Sequence, residues 1–218
     1  MEDLSIAQAF LLCAVNDKGR LPVMGAHAGV CTLASGMIEL IASGAVSLDG
    51  EGIAHVMGHL GENQIHLKSL HDWLQKSKPM KIEAVAQECA LGLGGKQLFA
   101  LISGIADSLV AKGMATTKKG GIFDSGPRVF PAPGVVDKIV QRIRAELLED
   151  GEITDETVAL VSLLEKGGQI KKYFSAHEAG QLKVRLEEIK KMPSNQLVKR
   201  MMDYIDTIIA VLVTTTIH

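Results

Sequence analysis

Aromatic side chains are scarce in this chain of 218 residues, which holds one Trp, two Tyr and five Phe. Hydrophobic residues nevertheless make up 47%. The core must therefore be assembled from Leu, Ile, Val, Ala and Met, a composition that favours packed helices over a β-sandwich. Charge bias is lacking too. The formal net charge of −2 provides no global field to draw the protein onto nucleic acid or an anionic bilayer, so any such contact needs a local basic patch. Only three cysteines occur, Cys13, Cys31 and Cys89, with no CxxC spacing. That argues against a disulfide framework or a structural zinc site, and for buried thiols in a reducing compartment. Long apolar runs are missing as well. The Thr207–Ile217 segment is short, bounded by Asp203 and Asp206 on one side and His218 on the other. A bilayer span needs about 20 apolar residues, so this reads as a buried final helix. Met1-Glu2-Asp3 is acidic rather than basic and does not read as a secretory signal, so a cytoplasmic protein is expected.

What is present is helical periodicity. Ile6, Ala9, Phe10 and Cys13 share a face, and the helix stops at Asn16-Asp17-Lys18-Gly19. Arg20–Val23 reads as a short strand. The next helix carries Val30, Leu33, Ala34, Met37 and Ile41 on one stripe, with Gly44 as its stop. Asp49-Gly50 then predicts a hairpin between Ala45–Leu48 and Ile53–Val56. Helices follow around Ile65–Leu74, Ile82–Leu91 and Leu98–Lys112. A second hairpin is expected from Met114–Thr117 and Ile122-Phe123, turning through Lys118–Gly121. The Pro- and Gly-rich stretch Ser125–Gly134 reads as a loop and internal hinge. Helices from Val136, from Thr154 and from Ser175 (a capping-box pair with Glu178) lead to the final helix at Leu197–Ile208. The expected fold is mainly α: a central helical bundle wrapped by amphipathic helices, with two or three small β-hairpins, in one domain over 1–218.

Catalytic signatures do not emerge. His55 and His59 are four apart, but in a strand that spacing does not converge on a metal, and no acidic residue stands between them. Leu91–Lys96 lacks the phosphate-loop spacing, with Gln97 where Ser or Thr would bind magnesium. No GxSxG elbow occurs. Glu39, set among apolar residues, reads as a helix-edge carboxylate or one paired with a neighbour. The expectation is a non-enzymatic protein with no metal and no cofactor. The Leu98–Lys112 helix followed by Lys118-Lys119 has the outline of a recognition helix and wing, which keeps a DNA-binding regulator as an alternative. The helix is nearly all apolar, however, whereas groove reading needs Arg, Asn or Gln. Lys118, Lys119, Ile122 and Phe123 form a candidate membrane contact, two apolar groups inserting while lysines meet lipid phosphates.

Several runs together carry a resemblance: Leu4-Ser5-Ile6, Asn16-Asp17-Lys18-Gly19-Arg20-Leu21, Met37-Ile38-Glu39-Leu40 through Gly44 to Leu48, Asp107–Gly113, Phe130-Pro131 and Asp155–Leu160. In this order, over nearly the whole chain, they resemble the Golgi phosphoprotein 3 family, and the compact length is similar to a bacterial member. The resemblance implies a mostly helical, non-enzymatic peripheral membrane protein. Eukaryotic members bind phosphatidylinositol 4-phosphate and the tails of Golgi glycosyltransferases. The implied lipid pocket uses a Trp where this chain has Met24, an Arg where it has Leu33, and two Arg where it has Phe99 and Ile102. Without those cations a desolvated phosphomonoester is strongly disfavoured. The resulting expectation is a protein that binds an anionic membrane surface at the inner face of the membrane, or a membrane-protein tail, without that pocket and without nucleic acid. A small apolar ligand among Met24, Leu33, Phe99 and Ile102 is a further alternative.

Overall fold

The computed structural model describes residues 4–22, 27–91, 95–118, 126–149, 151–192 and 196–215. Helix α1 (Ile6–Ala14) is apolar all round, and every one of its residues is buried, as a helix without a polar face requires. Ser5 starts it with a full capping box: its Oγ accepts from Gln8 N, and the Gln8 side chain accepts from Ser5 N. Gln8 is buried too, and its Nε2 donates to Ser108 Oγ at 2.9 Å, so the polar group in the core is satisfied.

α1 packs on α2 (His27–Ala42) and α7 (Asp155–Lys166). α2 in turn contacts α4 (Ile82–Leu91), α5 (Lys96–Ala111) and α10 (Gln196–Thr215). Together these six helices hold most of the apolar core. α3 (Lys68–Lys76), α6 (Val135–Ile143), the four-residue α8 (Ile170–Tyr173) and α9 (Ala176–Lys191) complete ten α-helices among the described residues. Leu182, Leu186 and Ile189 turn one face of α9 inward while Lys183, Glu187 and Lys191 stay exposed, the pattern of an amphipathic wrapping helix. The expected class, a central bundle with amphipathic helices around it and small hairpins, is the fold. Within α10, Ile205 and Ile208 are buried against the core, and among the described residues no helix is long and apolar enough to cross a membrane.

Local signals account for most boundaries. Gly44 takes φ +77° after α2 and Gly113 φ +67° after α5. Thr154 caps α7 by accepting from Thr157 N, and Ser175 with Glu178 forms the expected capping box of α9. Asp49 Oδ1 accepts from Glu51 N and Ile53 N, closing the hairpin of β1 (Val46–Leu48) and β2 (Ile53–Val56).

Four features depart from the sequence reading. A third strand, β3 (Met80–Lys81), joins β2; two residues carry no readable alternation. Arg20 to Pro22 is irregular backbone rather than strand. α6 runs on into a π-turn at Arg144–Leu148, with Glu149 N donating to Arg144 O. Most consequentially, β4 (Ala115–Lys118) pairs along its whole length with β5 (Arg128–Pro131). The Pro/Gly-rich stretch expected to be a loop and hinge therefore supplies the returning strand. Its proline sits at the strand end, the position a two-stranded ribbon tolerates, and Val129 is buried.

Candidate functional site

Of the sequence-derived site positions, Leu33 falls on α2, Phe99 and Ile102 on α5, and Lys118 at the end of β4. α2 and α5 come close at Gly29, where a Cβ would lie 3.0 Å from Leu98 Cδ2. A Cβ on Gly36 would press instead on Leu70 Cδ2 at 3.2 Å and Leu67 Cδ2 at 3.3 Å. Leu33 stands between those glycines at helical spacing and is fully buried. Ile102 is 8% exposed. Phe99, half-buried, reaches the hairpin: a Cβ on Gly126 would lie 3.3 Å from Phe99 Cδ1. The start of the hairpin's returning limb thus runs over Phe99. Met24 lies outside the described residues.

The hairpin root is anchored to the body. Val129 N donates to Gly19 O at 2.8 Å, and Ala132 N donates to Met114 O at 2.9 Å. Gly19, at φ +72°, leaves no room for a side chain, since a Cβ would meet Phe130 Cζ and Val129 O, each at 3.0 Å. Lys118 Nζ lies 5.2 Å from the centroid of the Phe130 ring. Thr116, Thr117 and Lys118 are all exposed. Lys119, Ile122 and Phe123 lie outside the described residues. Sequence reasoning placed weight on the Ile122-Phe123 dipeptide and missed the Phe130–Lys118 stack, because Phe130 sat in a segment read as loop.

Glu39 and several histidines have structural partners. Glu39 Oε1 accepts from Ala7 N at 2.6 Å, in the first turn of α1, where the helix dipole favours an anion. Its Oε2 lies 2.9 Å from His66 Nε2, and Ser5 Oγ lies 3.1 Å from that same nitrogen. This brings Ser, His and Glu together, but not as a catalytic relay. A relay needs the acid on one ring nitrogen and the nucleophile on the other, whereas here both share Nε2. His66 and Glu39 are also nearly inaccessible, at 2% and 10% of side-chain surface. The cluster joins α1, α2 and the 3-10 turn Glu62–Leu67. His55 pairs with Asp49 at 2.9 Å, and His71 Nε2 contacts Gly58 O at 2.9 Å. Among the described residues no group of three His, Cys, Asp or Glu could hold a metal. The thiols of Cys13, Cys31 and Cys89 are pushed up to about 12 by burial, which removes the thiolate a nucleophile needs.

α5 is not built to read a DNA groove. Leu101, Ile102, Ile105, Ala106 and Leu109 are buried, and its exposed residues, Lys96, Asp107, Val110 and Ala111, include an anion and lack the fork-shaped donors base reading uses. No curated protein matches the chain. A family model described as Golgi phosphoprotein 3 (GPP34) matches residues 6–205. Covering nearly the whole chain, that match and the fold together place the protein in the Golgi phosphoprotein 3 (GPP34) family.

Proposed function

We propose that this chain is a non-enzymatic peripheral binding protein that meets anionic membrane through Lys118 and the residues that follow it in sequence, without the family's phosphoinositide pocket. The observation that carries the reading is the state of Leu33 and Ile102. Both are apolar and buried, on contacting helices that meet closely at Gly29. A phosphate there would have to leave water without a single charge-assisted hydrogen bond from these side chains, a cost of several kcal/mol. Phe99 beneath Gly126 adds an aromatic ring where the resemblance implies an arginine.

Membrane contact is supported by the hairpin's chemistry. Its root is pinned through Gly19 and Val129. Lys118 stands exposed at the end of β4, and Lys119, Ile122 and Phe123 follow in sequence. Each lysine near an anionic surface contributes about 1 kcal/mol, and an inserted Ile and Phe contribute about 1.5–3 kcal/mol each when fully buried. The protein would then work at the cytoplasmic face, alone or while holding the tail of a membrane protein.

Flotation with phosphatidylserine-containing vesicles tests this. The intact protein floats, Lys118→Glu with Lys119→Glu lowers the bound fraction several-fold, and Ile122→Ser with Phe123→Ser does the same. Unchanged flotation in both double variants would remove the hairpin from the mechanism.

A further inference from the structure

The two edges of the β4–β5 ribbon differ. Val129 N donates to Gly19 O at 2.8 Å, so the turn after α1 closes the outer edge of β5. The same bond fixes the phase of the ladder. Thr117 stands opposite Val129, and an N–H that points to Gly19 cannot also point to β4. Ala132 N donates to Met114 O at 2.9 Å, which agrees with that phase. The backbone groups of Thr116 and Lys118 therefore face β5, and those of Ala115 and Thr117 turn the other way.

Among the described residues neither Ala115 nor Thr117 has a backbone hydrogen bond along that outer edge. Ala115 is covered, but Thr116, Thr117 and Lys118 are exposed. Such an edge is a template for another strand. The other sheet offers less. Met57 N donates to Ala45 O and Asp49 N to Ile53 O, so Val46 and Leu48 are the outward positions of β1, and they are buried and half-buried.

Charge selects the occupant. Lys118 stands directly opposite Arg128, so two cations share one face of the ribbon, and Lys119 follows in sequence. Among the described residues Lys118 has no carboxylate partner; its contact is the Phe130 ring. A second copy of β4 would bring these cations toward their own kind, which cross-strand pairing disfavours, and an edge lysine guards against such self-pairing. An acidic strand is attracted instead.

We propose that the outer edge of β4 takes up an extended acidic segment of a partner protein as a third strand. The backbone N–H of Thr117 donates to it, the Thr117 carbonyl accepts from it, and Lys118 meets its carboxylates. This goes beyond the membrane reading, with which it shares Lys118.

Fluorescence anisotropy of the full-length protein with a labelled peptide of about eight residues, alternating glutamate and valine, tests the edge. Saturable one-to-one binding is expected, with a lysine–valine peptide at least about tenfold weaker. N-methylation of alternate peptide amides, in one of its two phases, weakens binding about tenfold, as pairing along one edge requires. Thr117→Pro removes the outward N–H and spares the bonds that Thr116 and Lys118 make to β5. It keeps the circular dichroism of the parent, weakens the acidic peptide about tenfold and leaves flotation with phosphatidylserine vesicles unchanged. The proposal is overturned if the acidic peptide does not saturate, if the basic peptide binds equally, if neither methylated peptide loses affinity, or if folded Thr117→Pro binds as well as the parent. Peptide binding without flotation would overturn the membrane reading and support the strand site.

Discussion

The Nε2 of His66 lies 2.9 Å from Oε2 of Glu39, while the other carboxylate oxygen receives the Ala7 amide at 2.6 Å. One buried carboxylate thus fastens the start of α1 to α2 and to the turn before α3. Glu39→Ala leaves the Ala7 amide and the His66 ring without that acceptor. Urea unfolding is expected to show a loss of about 1–3 kcal/mol, with vesicle flotation of the folded fraction unchanged. Undiminished stability would show that the contact contributes nothing.

Two glycines in helices make opposite predictions. A Cβ on Gly104 would lie 2.7 Å from His66 O, a backbone atom that cannot swing aside, whereas Gly180 has open space. Gly104→Ala is expected to cost about 1–3 kcal/mol through overpacking. Gly180→Ala is expected to gain about 0.5–1 kcal/mol through helix propensity. Thermal or urea unfolding of the two variants side by side reads both signs.

All three cysteines are buried, and burial pushes each thiol up to about 12. A disulfide exchange reagent at pH 8 is expected to leave the native protein unlabelled and to react with three thiols after unfolding. Rapid labelling of one thiol in the native state would reveal a reactive cysteine.

Glu178 accepts from Arg144 Nε at 2.8 Å and from Ser175 N at 2.8 Å. These bonds, the arginine first, lower its pKa from 4.5 to about 2. A depressed carboxylate stabilises the folded state fully above its unfolded pKa and loses that contribution as pH falls through the folded value. The α9 capping box is therefore intact above about pH 4.5 and weakens between 4.5 and 2. Arg144→Met should raise the Glu178 titration midpoint, followed by NMR, toward 4.5. An unmoved midpoint would contradict the role of the guanidinium.

Much of the scaffold was legible because its signals are local. Ser175 and Glu178 cap α9 three residues apart, Gly44 ends α2, and Asp49 closes its own hairpin. The lost features depend on distance or on competing signals. Glu39 and His66 are 27 residues apart, and no periodicity joins them. β5 was hidden by Pro131 and the glycines around it, which mark loops more often than strands. At the site, the apolar character of Leu33, Phe99 and Ile102 was readable. The contact of Phe99 with the hairpin limb at Gly126 was not, since β4 pairs with Arg128–Pro131 rather than with the expected Ile122-Phe123.

The most direct test of the central claim compares neutral phosphatidylcholine vesicles with two anionic compositions matched in charge, one containing phosphatidylserine and one phosphatidylinositol 4-phosphate. The account predicts that the two anionic vesicles float the protein equally, within about twofold, less than 1 kcal/mol apart, and that neutral vesicles do not. Selective flotation with phosphatidylinositol 4-phosphate, abolished by Phe99→Ala or Ile102→Ala in folded protein, would contradict it.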